Sequence, residues 1–120
     1  MSAATSAVRL LDLADQILAG DLTTPRARAA RSAAVLGRSA VEQIVREVCD
    51  RHGLDVGRTS MRVQLACLRA VAPGTARDAA VAWSGLSRAC HQHAYEIAPH
   101  DNEIRHLLTR ARRASDHQIG

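Results

Sequence analysis

The chain predicts an all-α fold, a compact bundle of about five helices forming a single domain over residues 1–120. Three observations lead there. Apolar residues recur at helical three- and four-residue spacing in five successive segments, and none shows the strict alternation of a half-buried strand. Turn and breaker residues separate those segments, at Thr24-Pro25, Gly53, Pro73-Gly74 and Ala98-Pro99. Apolar residues make up 47% of the chain, yet there is no Phe and only one Trp and one Tyr, so the core must be built from Ala, Leu, Val and Ile. Closely packed helices use such small side chains well. A chain of 120 residues can bury a core without metal or disulfide staples and leaves no room for a second domain.

The first helix is expected over Ser6 to Ala19, with Val8, Leu11, Ala14 and Leu18 on one side and Gly20 as its terminator. Leu10, Leu13 and Ile17 make its other side apolar too, which predicts burial on two sides, against the core and against a second subunit. Thr24-Pro25 reads as a helix start, the threonine hydroxyl capping free amides and the proline at the first helical position. The second helix should then run from Pro25 to His52, with a stripe of Val41, Ile44, Val45 and Val48 and a break near Gly37. Arg38, Glu42, Arg46 and Asp50 form a ladder of opposite charges four apart on its solvated face.

A third helix over Ser60 to Ala72 presents Met61, Leu65, Leu68 and Ala72 and ends before Pro73-Gly74. Thr75 and Asp78 have capping-box spacing and are expected to open a fourth helix that reaches Ala98-Pro99. Asp101, Asn102 and Glu103 supply acceptors and negative charge for the start of a fifth. Its inward face is Ile104, Leu107, Leu108 and Ala111; Arg105, Arg110, Arg112 and Arg113 make its other side basic, the candidate nucleic-acid-binding side, and residues 115–120 should fray.

Composition narrows the functional classes. No stretch approaches the roughly 18 consecutive apolar residues of a membrane span, and Met1 to Ala7 lacks a signal-peptide pattern, so the expectation is a cytoplasmic protein without a membrane partner. Cys49, Cys67 and Cys90 are odd in number and widely spaced, which fits reduced thiols in the core. Every one of the 16 basic residues is Arg, the net charge is +4 and the pI about 9.8. Guanidinium groups suit phosphates, so an anionic partner such as RNA is expected.

Chemically useful side chains crowd into Trp83 to Pro99, where Ser84, Arg88, Cys90, His91, His93, Tyr95 and Glu96 fall close together. Metal-free RNA cleavage requires a base for the 2′-hydroxyl proton, an acid for the leaving oxygen and a cation for the developing phosphorane charge. Histidine and arginine supply those groups near neutral pH. A regular helix through Pro99 would place Ser84, Arg88, His91 and Tyr95 on one face and turn His93 with Leu86, Cys90 and Ile97 toward the other. A site shared by Arg88 and His93 therefore requires that helix to distort between Gly85 and His93, or to end early.

The run from Arg88 through His93 to Tyr95 resembles the signature of HEPN domains, small all-helical ribonucleases whose motif is an arginine, four to six residues, and a histidine. The tyrosine two residues after the histidine is similar to the subgroup paired with MNT-type nucleotidyltransferase antitoxins. Ala89 stands where the family often has a polar residue, and His91 is placed to substitute for it. The resemblance implies a homodimeric, metal-independent, toxin-like endoribonuclease without cofactor. Arg88 would clamp phosphate, His93 would be the general acid or base, and His91, Tyr95 and Ser84 would assist. It further implies a nucleotidyltransferase antitoxin that modifies Tyr95.

Other readings of the residues remain beside this one. Adjacent and alternate positions on a helix diverge, so Cys90, His91 and His93 cannot chelate as one patch, and no CxxC or HExxH occurs; no metal is expected. Cys49 with His52 has thiolate–imidazole spacing but lies at a helix C-terminus, which disfavours the thiolate. A noncatalytic helical interaction module, an inactive relative binding a protein or nucleotide, is the alternative from another class. A small basic nucleic-acid-binding regulator is the third, though no basic recognition helix follows the turn at Ala72 to Thr75.

Overall fold

The computed structural model describes residues 3–91 and 101–117, and every regular element among them is helical. The expected all-α bundle is the observed architecture: α1 (Ala3–Ala19), α2 (Arg26–Arg51), α3 (Met61–Val71), α4 (Pro73–Cys90) and α5 (Asp101–Asp116). With 26 residues, α2 is the longest. At ~1.5 Å per residue it spans about 39 Å, close to the 42 Å long dimension of the molecule. It packs against all four other helices, while α4 fills the space among α2, α3 and α5.

The core is aliphatic, as the lack of Phe requires. Leu11, Leu18, Val41, Val45, Leu68, Leu86, Ile104 and Leu108 are fully buried, and alanines at positions 7, 14, 33, 34, 40, 79, 82 and 111 fill the gaps between helix axes. On α1 the inward stripe uses Ala7 rather than the expected Val8, and Leu13 faces out as well; both are about one-third exposed. Of the second apolar side, only Ile17 is buried by the chain itself.

No break occurs near Gly37. A Cβ there would stand 2.6 Å from Leu108 Cδ2 and 3.1 Å from Leu86 Cδ1, so the missing side chain is the space through which α4 and α5 seat on α2. Gly85 repeats the arrangement between α4 and α5, where a Cβ would lie 2.7 Å from both Leu107 methyls. Both glycines serve close approach rather than a kink.

Helix ends follow local chemistry, with four departures from expectation. Gly20 and Gly53 adopt φ of 82° and 72° and close α1 and α2. In each case the amide beyond the glycine reaches back to a carbonyl of the last turn, Asp21 to Gln16 at 3.0 Å and Leu54 to Cys49 at 2.9 Å. At the start of α2, Pro25 itself is the cap residue, with no side-chain cap bond, so the Thr24 hydroxyl does not perform that role. Ser60 does cap α3, its Oγ accepting from Val63 N at 3.3 Å.

The fourth helix opens at Pro73, not at Thr75, because proline's fixed φ is preorganised for the first helical position. Thr75 and Asp78 are consequently internal to α4 and buried. That helix also stops earlier than expected, at Cys90, with His91 as its C-cap; the predicted continuation to Pro99 falls on residues 92–100, outside the described residues. At the other end of the chain, α5 continues through Asp116 with Ser115 buried, past the point where fraying was expected.

Candidate functional site

The last two turns of α4 carry the described part of the expected constellation. Arg88 and Ser84 sit one turn apart, both exposed, and line a groove of about 440 Å³ with Gly85 on α4 and Glu103 and Leu107 on α5. Arg88 makes no ion pair among the described residues, and Ala89 behind it is buried, fixing the helix face that the guanidinium leaves. His93 and Tyr95 lie outside the described residues. Because α4 ends at Cys90, the alignment of His93 with Leu86 and Cys90 no longer follows from helical spacing.

His91 is engaged elsewhere. Its Nε2 lies 3.3 Å from Nη1 of Arg38 on α2. A guanidinium can only donate, so in this contact the imidazole nitrogen is the acceptor. The same Arg38 is 5.4 Å from the centre of the Trp83 ring and 3.2 Å, through Nε, from Glu42 Oε1. It is thus a cation held between an aromatic face, a carboxylate and an imidazole. Sequence reading put Arg38 on a charge ladder and did not join it to α4. Only its first step forms: Arg51 pairs with Glu47 at 2.8 Å, and Arg46 has no partner among the described residues.

Cys90 sits beside this cluster. Burial raises its pKa above the usual thiol range, the nearby Arg38 and Arg31 only partly opposing that effect, so it is poorly disposed to act as a thiolate. Burial likewise raises the pKa of Cys49, whose Sγ donates to the Gln64 carbonyl at 3.8 Å. All three cysteines are free thiols. Among the described residues no three His, Cys, Asp or Glu side chains converge as a metal site would require.

The arginines expected to form a basic side of α5 are occupied by the fold. Arg112 bridges α5 to α1 through Asp15 and, at 2.8 Å, Asp12; its burial disfavours the charge, but the two carboxylates outweigh that and raise its pKa. Arg105 donates to the Leu18 carbonyl at 3.2 Å and to Asn102 at 3.4 Å. Arg110 Nε lies 2.8 Å from Asp78 Oδ1, at ion-pair distance though not in hydrogen-bond alignment. Arg113 stands farther from the same oxygen, at 3.9 Å, and His117 Nε2 is 2.9 Å from Oδ2. Asp78, 5% exposed, is the anchor between α4 and α5.

Unpaired cations instead gather in the turn before α3, on α3 and on α4. Arg58, Arg62, Arg69, Arg77 and Arg88 are all exposed and none has an ion-pair partner among the described residues. Between residues 56 and 91 these five face a single acid, the buried Asp78, whereas the other eleven arginines are matched by eleven acids. The whole net charge of +4 therefore resides in this segment. The signal was present in the sequence as a local charge imbalance, but only the burial of Asp78 shows that the imbalance is undiluted at the surface.

No helix among the described residues is long and apolar enough to cross a membrane. Comparison with family models, curated proteins and solved structures finds no match to this chain.

Proposed function

We propose that the chain is a HEPN-like, metal-independent endoribonuclease or toxin-like RNA-binding protein, with Arg88 as the phosphate clamp and His93 as the general acid or base. The observation that carries this reading is the end of α4 at Cys90, two residues after an exposed Arg88 that has no partner among the described residues. The sequence allows Arg88 and His93 to share a site only if their helix distorts or ends early, and α4 ends at Cys90. Arg88 contributes a fixed fork of donors suited to a nonbridging phosphate oxygen pair. Ser84, one turn back on the same groove, contributes a hydroxyl that can position the ribose or phosphate. His93 moves the proton between the 2′-hydroxyl and the departing 5′-oxygen, and the product is a 2′,3′-cyclic phosphate. Two motifs brought together across a homodimer supply both an acid and a base. Tyr95, two residues farther, is the residue an antitoxin of the nucleotidyltransferase type would modify.

The test is cleavage of total RNA and tRNA by purified protein in EDTA, with Arg88→Ala and His93→Ala variants whose fold is verified by circular dichroism. Cleavage abolished by both substitutions supports the reading. Absence of cleavage, or cleavage indifferent to both, refutes it and favours the noncatalytic interaction module. That second reading draws on a specific observation, the exposure of Val63, Val71 and Val81 on α3 and α4.

A further inference from the structure

The five unpaired arginines of α3, α4 and the turn before them are not scattered. Arg69 and Arg77 line a groove of about 410 Å³ between α3 and α4, floored by Leu65, Ala76, Ala80 and Val81. Ala80 and Val81 also line the groove that holds Arg88, so the two are continuous along α4. Arg62 precedes Arg69 by seven residues on α3 and shares its face by helical spacing, with Leu65 between them. Arg77 and Arg88 are eleven residues apart, three turns, which returns them to one face about 16 Å apart at ~1.5 Å per residue. A stacked nucleic-acid strand places about five phosphates over that length, at ~3.4 Å each.

We propose that this surface is a track for single-stranded RNA, in which Arg62, Arg69, Arg77 and Arg88 contact successive stretches of the phosphate backbone and lead the strand to the Arg88 groove. The proposal takes from the reading above only the identity of the strand; the binding itself does not depend on cleavage. Three features select this ligand. The segment's own charge is of one sign at the surface, since its only acid, Asp78, is buried under Arg110 and His117, and among the described residues that line the grooves Glu103 alone is a carboxylate. The two grooves adjoin along α4 through Ala80 and Val81, a narrow linear path of the kind a single backbone follows. No aromatic side chain is among their lining residues, so contact is through phosphates and tolerant of sequence, without the stacking platforms of base-reading proteins. An anionic membrane is a poorer fit, because the exposed large apolar residues of α3 and α4 are Val63, Val71 and Val81, with no exposed Trp, Phe or Leu anchor among them.

The deciding experiment measures binding of a fluorescein-labelled 20-nucleotide 2′-O-methyl oligouridine, which lacks the nucleophilic hydroxyl, by anisotropy across a salt series. Arg69→Gln/Arg77→Gln is compared with Arg9→Gln/Arg46→Gln, which removes the same charge from exposed, unpaired arginines on α1 and α2. The track predicts a loss of about tenfold or more for the first pair and under about twofold for the second, and a salt slope shallower by about 1.4, at ~0.7 per single-strand contact. Equal losses in the two pairs overturn it, since net charge would then be the whole effect. No binding by the unsubstituted protein overturns it too, as does binding to phosphatidylserine vesicles that the same pair abolishes while oligonucleotide binding is unchanged. If the oligonucleotide binds as predicted while natural RNA is never cleaved, the nuclease reading fails and the track stands.

Discussion

Helical glycines offer a sign test of the packing. Replacing glycine by alanine inside a helix ordinarily stabilises by up to ~1 kcal/mol. At Gly37 the added methyl would stand 2.6 Å from Leu108 Cδ2 and 3.1 Å from Leu86 Cδ1, and both leucines are fully buried. Carbon atoms in contact prefer about 3.5–4.0 Å, so α2 or the two leucines must shift by close to 1 Å. Overpacking of this kind costs roughly 1–3 kcal/mol. Subtracting the propensity gain leaves Gly37→Ala destabilised by up to about 2 kcal/mol, and Gly85→Ala by a similar amount, since its methyl would meet both Leu107 methyls at 2.7 Å. Gly74 is the internal control. It lies in the first turn of α4, and a methyl there would meet only the His117 ring, at an ordinary 3.5 Å, so Gly74→Ala should be neutral or stabilising by up to ~0.5 kcal/mol. Urea titrations of the three variants decide the matter, because at a slope of ~2 kcal/mol per M a loss of up to about 2 kcal/mol lowers the midpoint by up to about 1 M. Stabilisation by Gly37→Ala would refute the claim that α4 and α5 seat directly on α2 at that residue.

Two further outcomes follow from the buried polar groups. Asp78→Asn leaves Arg110 and His117 facing a neutral amide; breaking a buried ion pair costs roughly 3–5 kcal/mol, and the partial exposure of Arg110 and His117 lowers the expected loss to about 2–3 kcal/mol. A urea midpoint within 0.3 M of the unsubstituted protein, an order-of-magnitude threshold set by typical slopes, would show that Asp78 is not the α4–α5 anchor. Cys49 predicts a pH dependence. Burial raises its folded pKa, so its contribution is complete below the ordinary thiol range and is lost as pH rises above ~8.5, where the unfolded chain ionises first. Between pH 8 and 10, order-of-magnitude bounds around that range, stability should fall with a slope of up to ~1.4 kcal/mol per pH unit from this thiol, and Cys49→Ala should flatten it. An unchanged slope in Cys49→Ala would remove the thiol from that account.

What the sequence determined by itself is the class of fold and most of the inward faces. Helical periodicity is a local property, and Leu11, Val41, Val45, Leu68, Ile104 and Leu108 are buried as their spacing demands. Gly20 and Gly53 were legible as terminators because positive φ is a backbone requirement that needs no neighbour. Arg88 and Ser84 were legible as candidates from residue chemistry, and they share a groove. Tertiary structure decided what local pattern could not. Gly37 reads as a break until α4 and α5 are laid against it. Asp78 reads as a cap until Arg110 and His117, far along the chain, offer it a guanidinium and an imidazole in a buried site where such contacts are stronger. The partners of the α5 arginines were not legible, because spacing reports a side chain's direction but not what it meets. Asp12 and Asp15 meet Arg112 only through the packing of α1 on α5, whereas five exposed arginines between residues 56 and 91 have no ion-pair partner among the described residues.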